Sequence, residues 1–181
     1  MIPTEVLKHE HEIILMVLDA AEREAGRVQD SGKVNADALD KMVDFFRNFA
    51  DHCHHAKEEK QLFAKMRERG MPGDRGPIAV MLLEHDEGRR RVRAVAEALP
   101  QAQKGDSLAI RSLQENLSAY VQLLRAHIDK EDNVLYPMAD QLFTPEDQRA
   151  LAEAFEKIEA EEVGEGVHEK YHQLAYELAE G

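Results

Sequence analysis

The chain has 181 residues, about one domain's length, and 43% of them are hydrophobic, enough for a core. Its formal charge of −13 argues against a nucleic-acid surface, because phosphates would be repelled. A single cysteine, Cys53, excludes an internal disulfide and a thiolate-rich zinc or iron–sulfur site. The longest aliphatic run, Ile13 to Leu18, is too short to span a bilayer. The N-terminal MIPTEVLKHEHE turns polar by its eighth residue, unlike a secretory leader. These features set the expectation of a soluble, cytoplasmic chain with no nucleic-acid or membrane partner. They leave the oligomeric state open.

Breakers divide the chain into helical segments. Pro3-Thr4 opens the first, and Asp30-Ser31-Gly32 closes it. Leu7, His11, Ile14, Leu15 and Leu18 form its stripe. Asn35 is placed to cap a second segment reaching Gly70. A Gly/Pro loop over Met71 to Pro77 leads to a third, about Ile78 to Leu99, stopped by Pro100. There Ile78, Met81, Leu82, Val92, Ala96 and Leu99 surround His85. A fourth segment starts at Gly105-Asp106-Ser107 and ends near Pro137, with Leu113, Leu117, Tyr120, Leu124, His127, Val134 and Met138 on one face. Thr144-Pro145-Glu146-Asp147 reads as a further helix start, and a last segment follows Gly164 and Gly166. No segment alternates as a strand does. The expectation is a single all-α domain over 1–181: an antiparallel up-down four-helix bundle at about 4–141, with a C-terminal helical extension at about 144–180.

One internal repeat stands out. His54 to Phe63 and His127 to Tyr136 both read H-x-x-K-E-[ED]-x-x-L-[FY], matching at six of ten positions. A His and a Glu at i and i+4 share a helix face. His54 with Glu58 and His127 with Glu131 therefore aim at one core, joined by His11 and His85 from the other two helices. Burying four imidazoles and two carboxylates unpaired is very costly, and a metal centre satisfies them all. His9 and His52 fall on solvated faces. Within the second helix, the apolar face before His54 (Val43, Phe46, Ala50) agrees with His54, whereas the face after it (Leu62, Phe63, Met66) agrees better with His55 and Glu59. A π-bulge would reconcile the two. The repeat frame selects Glu58, with Glu59 as the alternative carboxylate.

These residues carry a family likeness. Leu7-Lys8-His9-Glu10-His11, His54-His55-Ala56-Lys57-Glu58-Glu59, Glu84-His85-Asp86-Glu87-Gly88-Arg89 and His127 to Pro137 resemble the ordered motifs of hemerythrin-like (HHE cation-binding) domains over about residues 4–140. The resemblance implies a four-helix bundle around an oxo- or hydroxo-bridged pair of non-haem irons. It implies His11, His54, His85 and His127 as iron ligands, and Glu58 and Glu131 as bridging carboxylates. The paired H-x-x-x-E pattern is most similar to the branch with two bridging glutamates, which includes di-iron proteins of iron–sulfur repair. Oxygen-carrying relatives have a further histidine where this chain has Arg89. Two six-coordinate ions offer roughly twelve positions, and the implied set fills all but two. His168 and His172, one turn apart in the extension, are candidates to fold back so that one of them completes the site. Tyr120, on the His127 face, is another.

The resemblance implies a binding protein for a small ligand such as O2 or NO, or one that handles peroxide. Phe46, Phe49, Met81, Leu82 and Leu124 are candidates for an apolar wall around the open position. Alternatives are a di-iron redox enzyme, an iron donor for iron–sulfur repair under nitrosative or oxidative stress, and a zinc-bound structural bundle, since His and Glu serve both metals.

Other motifs carry less. His168 to His172 matches H-E-x-x-H, but too few residues follow for a zinc protease's third ligand and cleft. Glu165 to His168 matches E-x-x-H and lacks the second copy that ferritin-like sites need. Cys53 reads as a small core residue whose nearness to His54 leaves it open to redox chemistry. Arg89, Arg90 and Arg91 read as a solvated face.

Overall fold

The computed structural model describes residues 1–181 and contains six helices and no strand. Helix α1 is Pro3–Ser31, ended by Gly32 in the left-handed conformation at φ 68°. Helix α2 covers 36–68 and is capped by Asn35, whose side chain accepts from the Ala38 amide. It is α-helical over Ala36–Phe45 and Phe63–Glu68, with π-helical stretches at Phe46–His55 and Glu58–Leu62. Helix α3 is Gly76–Gln103. Helix α4 covers 107–142, with Asp106 as cap and a π stretch at Glu131–Leu135. Helix α5 covers 145–163, opened by a reciprocal Thr144–Asp147 capping box and ending in a π stretch at Ile158–Val163. Helix α6 is Val167–Glu180.

Two prolines do not stop their helices where the sequence suggests. Pro100 lies inside the last turn of α3, which runs on to Gln103. A proline so near the end forfeits little hydrogen bonding. Pro137 lies within α4 where the π stretch gives way to α-helix, and the change of hydrogen-bond register there accommodates a residue with no N–H. The π stretch also turns the buried face of α4. Val134 is 53% exposed, and burial passes to Glu131, Leu135, Tyr136 and Ala139. A stripe extrapolated at α-helical period past His127 misses this shift, because a π turn takes in one extra residue.

Cross-helix contacts give the relative directions. Thr4 bonds Asp140, His11 bonds Asp132, and Asp19 pairs with Arg125, so α1 and α4 run in opposite senses. Glu84 with His127 and Arg91 with Asn116 show the same for α3 and α4. Helix α6 lies against α1 and α2, with the Tyr171 hydroxyl donating to Asp44 at 2.9 Å and Arg23 donating to the Ala179 carbonyl. Two apolar clusters form the interior. The larger takes Ile14, Leu18, Phe45, Phe49, Leu117 and Leu124 among others, and the smaller takes Leu7, Phe63, Met66, Ile78, Leu135 and Phe155. Each large side chain buried there contributes about 1.5–3 kcal/mol. In sequence, nearly all the buried histidines and glutamates fall between the stretches that build the two clusters. The polar layer is sandwiched between dry ones.

Candidate metal centre

Two groups of ligand-type atoms meet in that layer. His55, Glu58, His85 and His127 form one, and His11, His54 and Glu131 form the other, all buried. The π stretches of α2 account for the pairing of neighbours. They turn both His54 and His55 inward, where an α-helix would splay adjacent residues apart. The two carboxylates straddle the groups. Glu58 Oε1 lies 3.1 Å from His54 Nε2 and 3.7 Å from His85 Nε2. Glu131 Oε1 lies 2.9 Å from His127 Nε2 and 3.5 Å from His11 Nε2.

Every one of the five imidazoles is held from behind by a carboxylate at Nδ1. The pairs are His11 with Asp132 at 2.7 Å, His54 with Glu10 at 3.0 Å, and His55 with Asp51 at 3.3 Å. His85 meets Glu59 at 2.6 Å and His127 meets Glu84 at 3.0 Å. An ionised carboxylate only accepts, so Nδ1 carries the proton and Nε2 presents a lone pair to the centre. Burial lowers the pKa of His11, His55 and His127, which keeps those rings neutral. His54 differs: burial lowers its pKa, but Glu58 and Glu10 push it up to about 9, and the protonated ring in turn holds the buried Glu58 carboxyl down to about 2, so an ion binding at His54 Nε2 displaces a proton.

The inward atoms lack ordinary partners. His54 Nε2, Glu58 Oε1 and both Glu131 carboxylate oxygens are buried without a hydrogen bond. His85 Nε2 and His127 Nε2 face each other at 3.1 Å. Two nitrogens bound to one ion at about 2.1 Å, and at right angles, stand about 3 Å apart. The donor set therefore fits metal ions, and five nitrogens with two carboxylates exceed what one tetrahedral ion uses.

The repeat's remaining positions now have roles. Lys57 Nζ bonds Glu10, the carboxylate behind His54, and Lys130 Nζ bonds Glu84, the carboxylate behind His127. Glu59 and Asp132, also matched in the repeat, stand behind His85 and His11. Glu59 is thus an orienting group, while Glu58 faces the centre. Arg89 occupies the place of the missing histidine. It clamps Asp51 at 2.9 Å and Glu59 at 2.7 Å, and so is not part of a solvated face.

The fifth imidazole comes from α2. Helix α6 does fold back, but His168 Nδ1 bonds Glu159 at 3.0 Å and joins Glu10, Cys53 and Glu159 in a separate group. The Lys57 ammonium already lies among those carboxylates, bonded to both Glu10 and Glu159, and fills the place of a cation. His172 packs on His168 and Phe49 and enters neither central group. Cys53 is buried, with Sγ 3.4 Å from Glu159, and burial pushes its thiol pKa up.

A cavity of about 200 Å³ opens beside His55 and His85. Phe46, Val92, Tyr120 and Leu124 give it apolar walls, and Arg47 and Arg93 lie at its edge. Tyr120 lines this cavity and hydrogen-bonds to no residue of the centre. Of the proposed wall, Phe46 and Leu124 are present. Phe49 packs on the tail histidines, and Met81 and Leu82 belong with the smaller apolar cluster.

Comparisons with known proteins identify the family. The model of the hemerythrin HHE cation binding domain matches residues 2–139. Uncharacterized proteins Rv1995 and MT2051 of Mycobacterium tuberculosis and Mb2018 of Mycobacterium bovis are each 27% identical over 161 residues. Those alignments take in 89% of this chain but 62% of each relative, so the chain spans under two thirds of their length. No solved structure gives a significant match. No helix is long and apolar enough to cross a membrane. On the family match, which takes in most of its length, the chain belongs to the hemerythrin HHE cation-binding domain family.

Proposed function

We propose that the chain is one domain, an antiparallel four-helix bundle of α1 to α4 extended by α5 and α6, which holds two iron ions and binds a small ligand such as O2 or NO, or handles peroxide. His55, His85 and His127 would hold one ion, His11 and His54 the other, with Glu58 and Glu131 shared between them. One observation carries the reading: each glutamate approaches histidines of both groups, while Glu58 Oε1 and both Glu131 oxygens are buried without a hydrogen bond. A pair of irons bound there supplies reversible redox chemistry and an open position for a ligand. The protein's part is orientation and exclusion. Five carboxylates fix the ring tautomers, Arg89 fixes two of those carboxylates, and apolar layers on both sides leave the cavity beside His55 and His85 as the approach to the centre.

The cavity favours ligand binding over a purely structural ion. A closed structural site needs no space beside its ligands, and here the space adjoins His55 and His85. Titrating the reduced, iron-loaded protein with NO, O2 and peroxide tests the reading. Saturable binding at a fixed ratio to iron supports a carrier or sensor, and sustained turnover supports an enzyme. Inertness toward all three overturns the small-ligand function.

A further inference from the structure

The two halves of the repeat are not equivalent, and the differences are complementary. His55 in α2 matches Ile128 in α4, so one group gains an imidazole that the other lacks. Phe63 in α2 matches Tyr136 in α4, so the second half gains a hydroxyl. The rings themselves obey the pseudo-symmetry. Phe63 lies 6.1 Å from the His85 ring at 19°, and Tyr136 lies 5.5 Å from the His11 ring at 12°. The hydroxyl is thus an addition to a packing arrangement that both halves share, and it points at the group that is one donor short.

Its single proton cannot satisfy both of its neighbours. Tyr136 is fully buried. Its oxygen lies 3.1 Å from Glu58 Oε2 and 3.3 Å from His11 Nε2. The His11 proton is committed to Asp132 at Nδ1, so both neighbours are acceptors and the phenol has one proton to share between them. A cation placed among these three atoms satisfies all of them.

Resting on the two-iron reading, we infer that Tyr136 is an oxygen donor to the ion held by His11 and His54, the counterpart of His55 in the other group. Ligation forms a metal–oxygen bond and breaks the phenol O–H bond, the proton leaving to solvent. No electron is transferred in that step.

The test is spectroscopic. Wild-type protein and Tyr136→Phe are loaded with ferrous iron, oxidised in air, assayed for iron per chain, and compared by visible absorption and resonance Raman. The phenylalanine keeps the ring and its packing on His11, and circular dichroism checks the helices. The expected result is a visible ferric–phenolate band with phenolate vibrations in the wild type, lost in Tyr136→Phe while iron remains bound. A wild type with two irons and no phenolate signature overturns the inference and leaves the two-iron reading intact. So does a signature that persists in Tyr136→Phe, which would assign it to another tyrosine. A wild type that takes up no iron overturns both.

Discussion

Replacing Glu10 or Glu84 by glutamine perturbs two positions related by the repeat, and the structure assigns them different costs. Each carboxylate bonds a ring nitrogen of a proposed ligand, His54 or His127, at 3.0 Å. Loss of such a partner weakens a metal about 10–100-fold, or about 1.4–2.7 kcal/mol. Glutamine retains an accepting oxygen, so both variants should fall near the tenfold end. Their effects on folding should diverge. Lys130 is 43% exposed and turns to water when Glu84 loses its charge, a loss of about 0–1 kcal/mol. Lys57 is 1% exposed and has no such escape. Breaking a buried pair costs about 3–5 kcal/mol. Glu159 still accepts from Lys57, which reduces this to about 2–3 kcal/mol. At about 2–4 °C per kcal/mol for a chain of this size, Glu10→Gln should lower Tm by about 4–12 °C and Glu84→Gln by about 4 °C at most. Thermal unfolding in the presence of chelator measures the folding term, and competition with a chromophoric chelator measures affinity. Equal shifts in Tm, or unchanged affinity in both variants, would refute the assigned roles.

Other expectations follow from the same contacts. His55→Ala should lose metal from its group, whereas His168→Ala and His172→Ala should keep the full complement, as elemental analysis will show. Gly88 lines the cavity, and a Cβ there already meets the Tyr120 ring at 3.4 Å. Gly88→Leu should therefore slow NO association about tenfold, the effect of about 1.4 kcal/mol of added barrier, without lowering metal content. Asp147 is held well below the usual carboxylate range by the bidentate Arg69 and the Thr144 cap. A lowered folded-state value gives stability that is present above the unfolded value of about 3.9 and fades as pH falls below it. Asp147→Asn should thus melt below the parent at neutral pH, with the gap narrowing below about pH 4.

The sequence made much of the centre legible because the centre is itself repeated. Matching His54 with His127 and Glu58 with Glu131 required only the one-turn spacing and the four apolar stripes. The same frame concealed His55, since its counterpart is Ile128 and a repeat reports what is shared. Only the conflict between the faces before and after His54 pointed to it, and the π stretch resolves that conflict by turning both neighbours inward. The orienting carboxylates carry a signal of their own. Glu10-His11 and Glu84-His85 form a second short repeat, and the lysine of H-x-x-K-E is matched because it holds those glutamates. The tail was not legible in this way. That His168 meets Glu159 rather than the centre depends on how α5 and α6 fold over Lys57, a tertiary outcome with no local pattern. Nor does local sequence show that the arginine in the vacated histidine position braces the carboxylates behind His55 and His85.

The most direct test of the account is a count of metal per chain, by elemental analysis of the purified protein, beside His54→Ala and His127→Ala. Each of these removes an imidazole from a different group, and His9→Ala removes one from an exposed face. The account predicts two irons in the wild type and in His9→Ala, and fewer in each of the other two variants. One zinc or no metal in the wild type after anaerobic iron loading, or two irons retained by both core variants, would contradict it.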